Sequence, residues 1–143
     1  ANASLQEVVR AAKEKTPQGS RRPLASRPSL HIELAKSETA LSAARSLFYS
    51  RIREGWTAAQ KAPGTLEHRR QMRTATVHAV SQSIQVIDQM YSVMGGTSVY
   101  SSSCLQQHFR DVHVASQHMM VGEPVMELAG RVLLGLDEEA LGL

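Results

Sequence analysis

The sequence has 143 residues, 42% of them hydrophobic but only 4% aromatic, so one domain over residues 1–143 with an aliphatic core fits it better than a β-sandwich or barrel. Sixteen Lys and Arg against thirteen Asp and Glu leave a net charge of +3 without any long basic run, so no nucleic-acid partner is expected. The single Cys104 has no internal disulfide partner and no apolar stretch approaches the roughly 20 residues that span a bilayer, so the expected location is cytoplasmic, with no membrane partner.

Residues 4–15 place Leu5, Val8, Val9 and Ala12 at helical spacing behind Ser4, a candidate N-cap. The pattern begins straight after Ala1-Asn2-Ala3, as it would in a piece of a longer chain. Residues 16–28 carry three prolines and a glycine and read as a loop. A second helix is predicted over 29–60, capped by Ser29, with Leu30, Leu34, Leu41, Ala44 and Phe48 as its stripe; Pro63-Gly64 then breaks the chain. The third, over 65–94, has Met72, Thr76, Ala79, Ser83, Ile87, Met90 and Met94 in steps of three and four, the spacing of a helix packed on other helices. Gly95-Gly96 ends it, and residues 97–103 read as a polar turn. A fourth helix is predicted over 104–121 with Leu105, Phe109, Val112, Ser116 and Met119 near one line, and a short last one over 124–135 with Pro124 in its first turn. The fold class is therefore all-α, an up-down four-helix bundle with a short additional C-terminal helix, whose second and third helices would each run about 45 Å.

Chemistry-bearing motifs are sparse. A di-iron carboxylate site needs Glu-x-x-His pairs, and Glu33 leads to Lys36 and Glu127 to Gly130. His108, His113 and His118 are five residues apart, so each turns about 140° from the last on a helix and they share no metal-facing side. No metal is expected; His108 and His113 read as a solvated polar face. Cys104 reads as a small half-buried residue without a partner that would activate it. Arg69, Arg70 and Arg73 with His68 read as a solvated basic turn, with phosphate contact as the less favoured use.

The stretch from Tyr91 to Gly135 is more specific. Gly95-Gly96, thirteen intervening residues, Arg110-Asp111 and a terminal Gly130-to-Gly135 run together resemble the C-terminal helical domain of the acyl-CoA dehydrogenase superfamily. The order and length of the earlier helices agree. The resemblance implies a piece of a longer flavoenzyme, following a helical domain and a β-domain, with flavin (FAD or FMN) held between β-domain and bundle and with bundles assembling into homodimers or homotetramers. It also implies that Gly95 and Gly96 lie near the cofactor, and that the bundle alone is inactive.

The family has two branches. Many dehydrogenases place a catalytic Glu, followed by Gly-Thr, nine residues after the Arg of the Arg-Asp pair; here that position is Met119, followed by Met120, and a thioether takes no proton. An Arg-x-x-Phe-Gly stretch that holds a flavin pyrophosphate is also missing, since the corresponding residues 13–19 read KEKTPQG. The chain is more similar to the flavin-dependent monooxygenase and hydroxylase branch, through Arg110, Asp111, His113, Gln117 and His118. That likeness implies reduced flavin from a separate reductase, O2 as oxidant, and His118 as the catalytic residue, its imidazole N–H beside the flavin ring. Arg110 and Asp111 are expected to pair and fix the fourth helix. The alternatives are an acyl-CoA dehydrogenase domain and a helical interaction module without enzymatic activity.

Overall fold

Helix ends decide most of this architecture. The structure, a computed structural model, describes residues 1–136. The elements in order are α1 (Asn2–Glu14), a 3-10 turn (Leu24–Ser26), α2 (Pro28–Ala59), α3 (Leu66–Met94), a 3-10 turn (Gly95–Val99), α4 (Cys104–Ser116), a 3-10 turn (Met119–Val121) and α5 (Glu123–Leu133). Among the described residues there is no strand, and the all-α helical bundle expected from the sequence is what the chain forms.

Two expected caps are displaced. Ala1, not Ser4, precedes α1, and its carbonyl accepts the N–H of Leu5 at 3.0 Å. Ser4 is fully buried inside the helix and its hydroxyl pairs with Nδ1 of His108 at 3.0 Å. At α2, Pro28 takes the first helical position, where its missing N–H costs nothing, and Ser29 falls inside the helix. At α3 the hydroxyl of Thr65 accepts the N–H of His68 at 3.3 Å and so satisfies one donor of the first turn.

The fourth helix is shorter than the 104–121 expected. It ends at Ser116, and i-to-i+3 bonds from Gln117 and His118 to the carbonyls of Val114 and Ala115 tighten its last turn. His118 then has extended backbone, φ −69° and ψ 129°. The apolar pattern misled because Met119 keeps helical spacing, yet its side chain is 77% exposed.

Two compact units divide the chain. The first comprises Ala1–Ser42 and Gln82–His113. Its core is Val8, Ala12, Leu24, Leu30, Val86, Met90, Met94 and Leu105, drawn from α1, the loop after it, α2, α3 and α4; the stripes include all of these but Leu24 and Val86. The second unit comprises Ala43–Ser81 and the described residues from Val114 on. Its cluster is small: Val125 and Ala129 of α5 packed on by Leu66, Val77, Leu128 and Val132, while Trp56, Ile52 and Leu133 stay exposed.

Met90 is completely buried. Met90→Ala should lower unfolding stability by about 2–5 kcal/mol, whereas Met119→Ala should stay within about 0.5 kcal/mol of the parent in urea denaturation.

Candidate functional site

The glycine pair sits at a cleft of the first unit. Gly95 follows the last residue of α3 with φ +58°, a left-handed conformation that favours glycine and turns the backbone out of the helix. A Cβ built at Gly95 or Gly96 would meet no neighbouring atom within 4 Å, so the backbone here faces open space. The expected polar turn is a 3-10 turn, pinned by Ser98, which is fully buried and donates its hydroxyl to the carbonyl of Tyr91 at 2.8 Å.

Across the cleft runs the loop that follows α1. Lys15, Gln18 and Arg27 line it together with Gly95, Gly96 and Tyr100, around a volume of about 690 Å³. Lys15 donates from Nζ to the carbonyl of Met94 and to Oγ1 of Thr97, the latter at 2.8 Å. Desolvation, then the charge of Arg27, holds the Lys15 ammonium below the usual lysine range. Arg27 beside exposed glycine backbone suits an anionic, phosphate-bearing group, while Lys15 is bonded to the turn itself. The chemistry of this donor set therefore fits the phosphate end of a flavin nucleotide.

Lys15 and Arg27 were not singled out in the sequence. The signal available was two basic residues bracketing a Pro- and Gly-containing loop, the first of them within residues 13–19, where the dehydrogenase Arg-x-x-Phe-Gly pattern is missing.

His118 belongs to the second unit. It is exposed and caps the 3-10 turn after α4; the N–H of Met120 donates to its Nδ1 at 3.2 Å. With Nδ1 accepting, the neutral ring carries its proton on Nε2, and that N–H is left as a donor. The backbone thus sets the tautomer. Because α4 has ended, the side chain's direction comes from the turn and not from a helical angle.

The other histidines are tied into structure. His108 is half-buried against Ser4, not solvated. His113 donates from Nδ1 to the carbonyl of Phe109 at 2.8 Å, lies with its ring 4.5 Å from that of Phe109, and approaches Asp88 at 3.7 Å through Nε2. Arg110 and Asp111 are both exposed, and among the described residues neither has an ion-pair partner. Adjacent helical positions diverge by about 100°, so the expected pair does not form. Cys104 is exposed at the start of α4 rather than half-buried. In the basic turn, Arg70 grips Glu67 with two bonds of 2.8 and 2.5 Å, and His68 contacts Thr65 at 2.8 Å, so these groups serve their own helix. Among the described residues no cluster of three potential metal ligands occurs.

The geometry at the glycines gives a direct check. Gly95→Ala should cost about 1–2 kcal/mol of stability because of its left-handed backbone, and Gly96→Ala should cost less. Chemical denaturation of the two variants measures the difference.

Comparison with known proteins places these features in context. A family model described as acyl-CoA dehydrogenase, C-terminal domain, matches residues 1–123. The chain is 29% identical over 113 residues to an indole-3-acetate monooxygenase of Pseudomonas putida, covering 78% of this chain and 29% of that protein. It is 30% identical over 139 residues to an indole-3-acetate monooxygenase of Acinetobacter baumannii, covering 95% of this chain and 35% of that protein. The chain thus spans about a third of the length of the curated relatives it matches. Among solved structures, a 3-HSA hydroxylase from Rhodococcus sp. RHA1 shares the fold, with a TM-score of 0.80 at 18% identity over 95% of this chain and 35% of that one.

Proposed function

Since this chain belongs to the acyl-CoA dehydrogenase C-terminal domain family, in its type 2 form, we propose that it is the flavin-binding and oligomerisation domain of a monooxygenase that uses reduced flavin and O2. The observation that carries the reading is the pairing of two relatives named as monooxygenases with Met119 at the position where many dehydrogenases keep a carboxylate base. Bound reduced flavin would supply the electrons that activate oxygen.

The chain's own residues supply the rest. Gly95 and Gly96 let the backbone approach the cofactor's phosphate-bearing end, and Arg27 offsets its charge. His118 presents its Nε2–H as a hydrogen-bond donor in a tautomer already chosen by Met120, so no proton rearrangement precedes its use. An aromatic acid such as indole-3-acetate, the compound in the relatives' names, is the first substrate to test. A separate flavin reductase is the proposed partner, and the cytoplasm the proposed compartment.

Assembly is part of the same proposal. Trp56 is 68% exposed and Leu134 75%, and Ile52, Met126 and Leu133 of the same unit are exposed as well, a number of bare apolar side chains that favours association. Sedimentation at micromolar concentration should give a dimer or tetramer, and a clean monomer would count against a bundle that assembles.

The activity test mixes the native-length protein with chemically reduced FMN or FAD, oxygen and indole-3-acetate, and follows the oxygenated product by chromatography. Product should form, and His118→Ala should reduce its formation by about 10²–10⁴-fold without lowering the melting temperature. His113→Ala should do the opposite, lowering the melting temperature through loss of the Phe109 bond and ring contact while sparing turnover. Oxidation of an acyl-CoA thioester in place of oxygenation would overturn the proposal.

A further inference from the structure

We infer that Lys15 is a positioning residue for flavin binding, acting on the Gly95–Gly96 turn and not on the ligand. The inference rests on the reading of this cleft as the flavin site. The last carbonyls of a helix have no partner within it, and a left-handed glycine directly after α3 removes the option of continuing the ladder. Met94 ends α3, and its carbonyl accepts from Lys15 Nζ and from the hydroxyl of Thr97, the latter at 3.0 Å. Thr97 Oγ1 also accepts from Lys15 Nζ at 2.8 Å. Ammonium, carbonyl and hydroxyl close a triangle around the two glycines.

The other end of Lys15 is equally fixed. Its N–H donates to the carbonyl of Ala11 at 2.9 Å, and its carbonyl accepts the N–H of Leu24 at 2.7 Å. The lysine stem therefore starts from backbone held on both sides and ends on a residue 79 positions away. A cation at a helix C-terminus is also favoured by the helix dipole. Lys15 also lines a second cleft of about 460 Å³, which shares Met94, Thr97 and Tyr100 with the first. Two of the three ammonium donors are committed to protein, which leaves Arg27 as the cation better placed to serve a ligand. Without the triangle, Gly96 has no side chain to hold the turn.

The experiment uses native-length protein with Lys15→Met, Lys15→Arg, Thr97→Val and Gly96→Phe. Each is titrated with FMN or FAD, whichever the parent binds more tightly, and with riboflavin, which has no phosphate. Lys15→Met should weaken both flavins by the same factor, about tenfold, and leave turnover at saturating flavin within about twofold. Lys15→Arg should recover most of the loss. In the flavin-free protein, amide hydrogen exchange over residues 95–99 should speed up in Lys15→Met and stay near the parent's rate in Lys15→Arg. Thr97→Val removes the other side of the triangle and should give the same signature, which keeps the inference open to test if Lys15→Met does not fold. Loss of nucleotide affinity with riboflavin unaffected would make Lys15 a phosphate ligand and overturn the inference, as would unchanged exchange in the turn. Gly96→Phe separates the two levels. If it leaves flavin binding intact, the cleft is not the flavin site and both readings fall; if it abolishes binding while Lys15→Met changes nothing, only the role of Lys15 falls.

Discussion

The end of α3 is the constraint on which the rest of the first unit turns. A long helix stopped by a left-handed glycine leaves carbonyls that need donors, and at Met94 one of those donors comes from a lysine at the far end of α1. That bond ties the start of the chain to the middle of it. It also explains why the glycine turn and the loop after α1 face each other across a cleft: the same side chain closes one contact and lines the other. The hydrophobic core beneath, with Met90 and Leu105 almost wholly enclosed, supplies the stability, but it does not by itself dictate where the turn points.

Polar pairs do similar work elsewhere. Ser4 has no access to water, so its hydroxyl needs a partner, and His108 provides it from a helix more than a hundred residues away in sequence. His108 and His113 each commit Nδ1 to structure, the latter against the carbonyl of Phe109. His118 is different: one ring nitrogen accepts a local N–H and the other is left as a donor on an exposed ring. His113, by contrast, turns its Nε2 toward Asp88 at 3.7 Å.

Helices were the most legible part of the sequence, because apolar periodicity and Gly/Pro punctuation act locally. The stripe Leu30, Leu34, Leu41, Ala44 and the pair Met90, Met94 land on or beside the core, and the stop at Gly95 is where the glycine put it. What failed was local competition that periodicity cannot see. Ser4 looked like a cap because capping and burial use the same hydroxyl, and Pro28 displaced Ser29 because a first-turn proline needs no donor. The end of α4 was missed because Ser116 and Met119 keep helical spacing through a chain that has already left the helix. The site was half legible: the glycines are visible as a motif, whereas Lys15 and Arg27 reach them only through the tertiary fold.

The exchange of a carboxylate for Met119 has a consequence for neighbouring chemistry. A carboxylate beside a flavin takes a proton from substrate carbon, and it must be charged and desolvated to do so. Removing it leaves a thioether that neither carries charge nor accepts a proton, and the adjacent residue, His118, becomes the polar group closest in sequence. Its ring is not free to choose a tautomer, because Met120 donates to Nδ1. A neutral Nε2–H donor stabilises developing negative charge on oxygen; it does not remove a proton from carbon. The 3-10 turn that ends α4 early therefore sets the tautomer of His118, one residue before Met119, and leaves its Nε2–H as a donor. Had the helix run on to residue 121, the N–H of Met120 would have bonded to the carbonyl of Ser116, and the tautomer of His118 would have been left to solvent.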